Sequence, residues 1–315
     1  MEKFSQFRSS NHESANRAEQ FSEQTFKFVE NIEVSAEKNP EWVLEIAEKE
    51  KEKIILFLEA FGISSQYLSQ KIDYLVCSPR KSQRLSDQLG GDGFCAHYRL
   101  PNRDVVIISH AYLDKKEFLS DVLRHELVHS LTSVHQRATT SVEKDPRIVT
   151  YAGYQIVDAV LQEDSSGSIT GVTLATKMAG FNEAINEQIN IFIDNYVDEH
   201  GLDEVFSAAE MGQMYEKQRS VLRAIVSKMS EEQGIEENEI WQAFIKKYIN
   251  QDYSIYRDMA RIFGREFIPL LALMGTYKKA EQDGGENFYK DLLFYINSSR
   301  HDRVEMIDDL KEKYL

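Results

Sequence analysis

A chain of 315 residues with 42% hydrophobic and 11% aromatic content carries enough apolar material for one sizeable core or two smaller ones, which excludes a disordered or fibrous protein. Its formal net charge of −15 works against binding to nucleic acid or to an anionic membrane, and suits solubility or a mildly basic polypeptide partner. Five prolines and 28% charged residues point to a mainly helical chain rather than a loop-rich secreted one.

Met1 to Gln20 is polar and mixed in charge, without the apolar stretch of a secretory signal. No segment reaches the length of a membrane span, and Phe267–Met274 is short enough to be a buried helix. The expectation is a cytoplasmic protein, with export by dedicated machinery left open. Residues 1–70 read as a flexible tail and then helices over Phe21–Glu37 and Pro40–Phe61. The second of these is anchored by Trp42, Ile46, Ile54, Leu56 and Phe57 and reads as a helical support for the central region of the chain.

Residues 71–199 have a mixed pattern. Ile72–Cys77, Phe94–Leu100 and Asp104–Ser109 read as strands, the last two joined by a tight turn at Pro101-Asn102. Weak alternation in Val105–Ser109 suits a strand covered on both faces. Cys77 and Cys95 fall in separate strands and read as two free buried thiols, although neighbouring strands would let them pair.

A helix over Lys115–Ser133 contains His125-Glu126-Leu127-Val128-His129. Residues four apart share a helix face, so both imidazoles can aim at one metal ion, with Glu126 beside them as a base for water. The flanking Val122, Leu123, Ser130 and Leu131 are uncharged, and Arg124 is expected at the one nearby position still facing water. His135 completes a second pattern, H-E-x-x-H-x-x-T-x-x-H, which resembles the metzincin spacing. In that family the middle position is glycine, because the helix turns sharply there. Here it is Thr132, a β-branched residue poorly suited to positive φ. On a helix that ran on, His135 would lie roughly 9 Å beyond His129 along the axis and miss the same ion.

Beyond a polar stretch, Arg147–Leu161 and Ser168–Met178 read as an inserted β-hairpin of about 147–178, with Glu163-Asp164-Ser165-Ser166-Gly167 as its turn. It is the candidate wall of a cleft. Tyr151, Tyr154 and Arg147 on it are candidates for stabilising an oxyanion, with strand packing as the alternative for the tyrosines. Gly180 can break this segment before a helix whose Ile185, Ile189, Phe192, Ile193 and Tyr196 form an apolar stripe, with Glu183 and Glu187 one turn apart on its other side.

The run Asn182-Glu183-Ala184-Ile185-Asn186-Glu187, placed after an H-E-x-x-H helix, is similar to the Asn-Glu-Ala-Ile-Ser-Asp stretch of thermolysin-like gluzincins. The resemblance covers roughly residues 90–200. It implies Zn²⁺ held by His125, His129 and Glu183, with Asn182 and Glu187 fixing the imidazoles from behind, and it departs from the pattern in having Glu187 where the family has aspartate. It further implies a zincin-like catalytic core within an α+β fold that is mostly α overall, and hydrolysis of peptide bonds in a polypeptide substrate by water with Glu126 as base. Nothing like the Gly-x-Met-Glu-Asn run of the aminopeptidase branch precedes the helix, so an endopeptidase is expected. A metzincin-like enzyme using His135, a non-catalytic scaffold that keeps a structural zinc, and a hydrolase of non-peptide amides stand as alternatives.

Residues 200–315 read as a helical lobe. Tyr215–Glu232 presents Leu222, Ile225, Val226 and Met229. Ile240–Ile249, Ile255–Phe263, Phe267–Met274, Phe288–Ile296 and Val304–Tyr314 are the further helices, with Gly234 and Gly264 as helix ends and Gly284-Gly285 in a loop.

Overall fold

The computed structural model describes residues 41–64, 68, 72–83, 95–100, 103–114, 116–132, 134–140, 146–163, 169–201, 215–275 and 286–315. The expected helix at Phe21–Glu37, the Pro101-Asn102 turn and the Gly284-Gly285 loop lie outside the described residues.

Helix α1 spans Glu41–Ala60. Val43, Ala47, Ile54, Phe57 and Leu58 recur at helical spacing and are fully buried, whereas the expected anchors Trp42, Ile46 and Leu56 are only partly so. Glu50 and Lys53 lie on that same buried stripe, so the helix carries two charges into its packing face. That face meets the two helices that bear the sequence motifs.

Strands β1 (Ile72–Val76), β2 (Cys95–Leu100) and β3 (Arg103–Ile108) form one sheet of order β1-β3-β2. β1 runs parallel to β3 and β2 antiparallel to it, with Leu100 opposite Arg103. Val105, Val106, Ile107 and Ile108 are all buried, as the missing alternation in this strand predicts. Cys77 is free and buried, and burial pushes its thiol pKa up. The Cys95 side chain lies outside the described residues.

Helix α2 (Lys116–Ser130) packs on β2 and on α1. It ends where the Ser130 hydroxyl donates to the Leu127 carbonyl at 2.6 Å and that of Thr132 to the His129 carbonyl at 3.0 Å. The chain then enters a four-stranded antiparallel meander in place of the expected hairpin: β4 (Val134–Thr140), β5 (Pro146–Ala152), β6 (Gln155–Glu163) and β7 (Ile169–Lys177), in that order. The expected single strand Arg147–Leu161 is two strands. It breaks at Gly153, whose φ of +56 a side chain would resist. There is no room for one either, since an added Cβ would stand 2.5 Å from Asn182 Oδ1 and 2.7 Å from Tyr248 Cε2.

Helix α3 (Ala179–His200) carries the glutamates. Its start is fixed by a close approach: the Gly180 amide donates to the Met274 carbonyl at 2.8 Å, and a Cβ on Gly180 would lie 2.7 Å from the Met274 carbonyl carbon. Beyond it come α4 (Glu216–Gln233), α5 (Glu237–Ile249), α6 (Ser254–Phe263), the short α7 (Phe267–Leu271), α8 (Glu286–Asn297) and α9 (Arg300–Tyr314). Leu222, Ile225, Val226 and Met229 are buried on α4, and Gly234 and Gly264 end α4 and α6, as the sequence predicts. The described chain is mostly helical. One cluster of buried apolar side chains runs from Val43 through α2 and α3 to Leu310, so the motif helices sit inside the core. Among the described residues no helix is long and apolar enough to cross a membrane.

Candidate metal centre

Helices α2 and α3 pack side by side, and their facing polar residues form a seam through otherwise apolar surroundings. At one end His125 and His129 on α2 meet Glu183 on α3. The three donor atoms make a near-equilateral triangle: His125 Nε2 to His129 Nε2 is 3.2 Å, His125 Nε2 to Glu183 Oε2 is 3.2 Å, and His129 Nε2 to Glu183 Oε2 is 3.3 Å. Ligand bonds of about 2.0–2.2 Å at tetrahedral angles place neighbouring donor atoms about 3.3–3.5 Å apart, so the triangle matches one face of such a coordination shell. Among the described residues these three are the group able to hold a metal ion.

Groups behind His125 fix which of its nitrogens points to the centre. Nδ1 faces Glu187 Oε2 at 3.3 Å. Since a carboxylate accepts, Nδ1 carries a hydrogen, and Nε2, which points into the triangle, is the nitrogen that could serve a metal once its own proton is displaced. Asn190 Nδ2 sits 3.4 Å from the same Glu187 oxygen, and Asn186 Nδ2 donates to the His125 carbonyl at 3.0 Å. Burial alone would lower the His125 pKa, but hydrogen bonds to Glu183 and Glu187 prevail and lift it to about 10. Burial would likewise raise Glu183, but the neighbouring imidazoles, His129 first, hold it well below the usual carboxylate range. Glu126 is half-buried beside His125, close enough for its charge to act on His125 and on Tyr215.

Comparison with family models, curated proteins and solved structures finds no match to this chain. What the centre can do is therefore read from its own atoms. Two imidazoles and one carboxylate suit zinc, and the same set also suits iron(II).

The other expected site residues fall into two groups. His135 is on β4, paired with Tyr151 on β5, and Arg147 is on β5 opposite Val160. The side chains of all three lie outside the described residues. Tyr154 is placed away from the triangle. Its ring is fully buried against Phe181, Tyr248, Tyr253 and Tyr256, and burial drives its hydroxyl pKa strongly upward. Asn182 faces the β5–β6 turn, where its Oδ1 accepts from the Tyr154 amide at 2.9 Å, so it anchors the meander to α3 rather than orienting an imidazole.

The exposure expected for Arg124 is overturned as well. Arg124 does not face water: it is 3% exposed, with Nη1 3.1 Å from Glu50 and 2.7 Å from Asp194, and Nη2 2.9 Å from Asp121. Carboxylates from three helices satisfy the charge that apolar neighbours on α2 could not. Tyr215, ahead of α4, is a site residue that sequence reasoning missed. Its ring stacks on His125 at 6.3 Å and 12°, and its φ is +57, a conformation that strains a residue with a Cβ. Glu187, Asn190 and Asp194, three and four residues apart with Asn186 beside them, could have signalled a polar stripe facing buried partners. No local pattern marks Tyr215.

Proposed function

We propose that the chain is a zinc-dependent endopeptidase of the gluzincin type, with His125, His129 and Glu183 holding the ion and Glu126 acting as general base. The observation that carries the reading is the triangle of donor atoms with edges of 3.2–3.3 Å, set beside a glutamate that is not one of its corners. A purely structural site needs only its ligands, so Glu126 favours a hydrolytic one. When bound, the ion supplies a Lewis acid that acidifies water and polarises a carbonyl. Glu126 takes a proton as the water oxygen adds to the carbonyl carbon, then returns it to the nitrogen as the carbon–nitrogen bond breaks.

In this reading the three-stranded sheet, α2 and α3 are a zincin-like core. β2, the antiparallel outer strand packed against α2, would hold an extended polypeptide through its backbone. Arg147 and Tyr151 remain candidates for the oxyanion, and Tyr215, stacked on His125, joins them. Elemental analysis of wild type, Glu183→Ala and His135→Ala tests the ligand set. The expected result is about one zinc per chain, lost only from Glu183→Ala. Loss from His135→Ala would transfer the third position to that histidine, and a wild type that takes up no added zinc ends the proposal. Digestion of a peptide library then tests the chemistry. Glu126→Gln should keep the metal and lose about 10²–10⁴-fold in rate, whereas no cleavage by zinc-loaded wild type would leave a structural metal site.

A further inference from the structure

The other end of the α2–α3 seam holds a cluster that the proposed chemistry does not use. Glu50 is 1% exposed, and its carboxylate accepts from Lys53 Nζ at 2.8 Å, Ser120 Oγ at 2.5 Å and Arg124 Nη1 at 3.1 Å. Arg124 in turn reaches Asp194 on α3 and Asp121 on its own helix. One guanidinium thus joins α1, α2 and α3, and it is the chain neighbour of His125. Asp194 stands on the stripe of α3 that bears Glu183, Glu187 and Asn190, so Arg124 fixes the lengthwise position of that stripe against the histidines. The triangle depends on that position, because a slip of one residue along a helix moves each side chain about 1.5 Å along the axis and turns it to another face.

We propose that Glu50, acting through Arg124, is a positioning residue for the metal centre, so that α1 is a working part of the site and not a detachable support. The inference rests on His125, His129 and Glu183 being a metal site. Glu50 touches neither a ligand nor, on this reading, a substrate. Its effect passes through two salt-bridged contacts to the two helices that must stay in register.

The test is zinc affinity, measured on the full chain by competition with a chelating dye, for wild type, Glu50→Gln, Arg124→Met and the double variant. Beside these stands Met259→Ala in α6, which empties a fully buried position remote from the seam. The expected result is zinc binding about tenfold or more weaker in each seam variant, the range found when groups supporting metal ligands are removed. The double variant should be no worse than Arg124→Met alone, since Glu50 works through it. Met259→Ala should lose thermal stability while keeping its zinc affinity. The visible spectrum of the cobalt(II)-substituted protein is a second readout. A displaced Glu183 should shift and weaken the bands in the seam variants and leave them alone in Met259→Ala. If Arg124→Met does not fold, Glu50→Gln, which keeps shape and one acceptor, carries the same comparison. Seam variants that fold, bind zinc as wild type does and keep its cobalt spectrum overturn the inference and leave the metal site standing. A wild type that binds neither metal overturns both.

Discussion

The two ends of the α2–α3 seam bury polar groups in opposite ways. At the Arg124 end the charges are paired within the chain, with Glu50, Asp121 and Asp194 arranged around one guanidinium and Lys53 completing the set. At the other end, among the described residues, Glu183 and Glu187 form ion pairs only with histidines, and three donor atoms converge on one point with no lysine or arginine joining them. The first arrangement is closed, because each of its carboxylates already faces a lysine or arginine of the chain. The second has donors that could hold a metal ion, and no lysine or arginine meets them among the described residues. A buried cluster therefore points to function when its donors converge on one point without a lysine or arginine, and to architecture when its carboxylates already have such partners.

The largest effects should separate the two ends. Glu183→Ala removes a corner of the triangle and should abolish zinc binding at micromolar metal, measured by equilibrium dialysis, with the Arg124 cluster intact. Arg124→Met should act on the fold. It leaves Glu50 buried and Asp121 and Asp194 half-buried with only Lys53 nearby, and breaking a buried ion pair from one side costs about 3–5 kcal/mol, read by urea unfolding in excess chelator. If Glu183→Ala destabilised the metal-depleted protein as much as Arg124→Met does, the two ends would be one structural cluster and the comparison would fail.

One end is legible in the sequence and the other is not because of where each set of partners lies. His125 and His129 are four apart on one helix, so their shared face is a matter of helix geometry alone. Glu183 is on another helix, and only the likeness of its surrounding run to a known motif leads to it. Arg124 is misplaced by sequence reasoning because its neighbours on α2 are apolar and a charge among them calls for water. The partners that remove the need are Glu50 and Asp194, on helices far away in sequence. A trace of them is present: Glu50 and Lys53 interrupt the stripe Val43, Ala47, Ile54 and Phe57, and charges within a buried stripe imply a partner. The meander is half visible. Gly153 inside an apparent strand is the sign of a turn, while the polar run Val134–Thr140 hides β4.

Gly153 ties the meander to the metal end and gives the next effect in size. Gly153→Ala forces a Cβ to within 2.5 Å of Asn182 Oδ1 at a φ of +56. The expected loss is about 1–3 kcal/mol, from overpacking and a strained backbone. Because Asn182 adjoins Glu183, zinc affinity should fall along with stability. A variant that loses stability but binds zinc as wild type does would detach the meander from the centre.

The smallest effect concerns pH and belongs to the closed end. Burial pushes Asp194 up to about 7 against the pull of Arg124, with the charges of Asp121 and Glu50 adding to the rise. Its folded pKa thus lies above the ordinary value of 3.8, and between the two the folded chain holds more protons than the unfolded one. The stability contributed by this proton is complete below about pH 4 and is lost as pH rises towards 7. Asp121 is raised as well and acts in the same direction. Asp194→Asn should therefore gain on wild type across that window, by on the order of 1–3 kcal/mol in urea unfolding, and run parallel to it above about pH 8. A difference that stayed constant from about pH 4 to 7 would mean that Arg124 keeps Asp194 ionised throughout. The cluster would then hold three carboxylates against the two cations Arg124 and Lys53, one negative charge more than burial implies, which would weaken its contrast with the metal end.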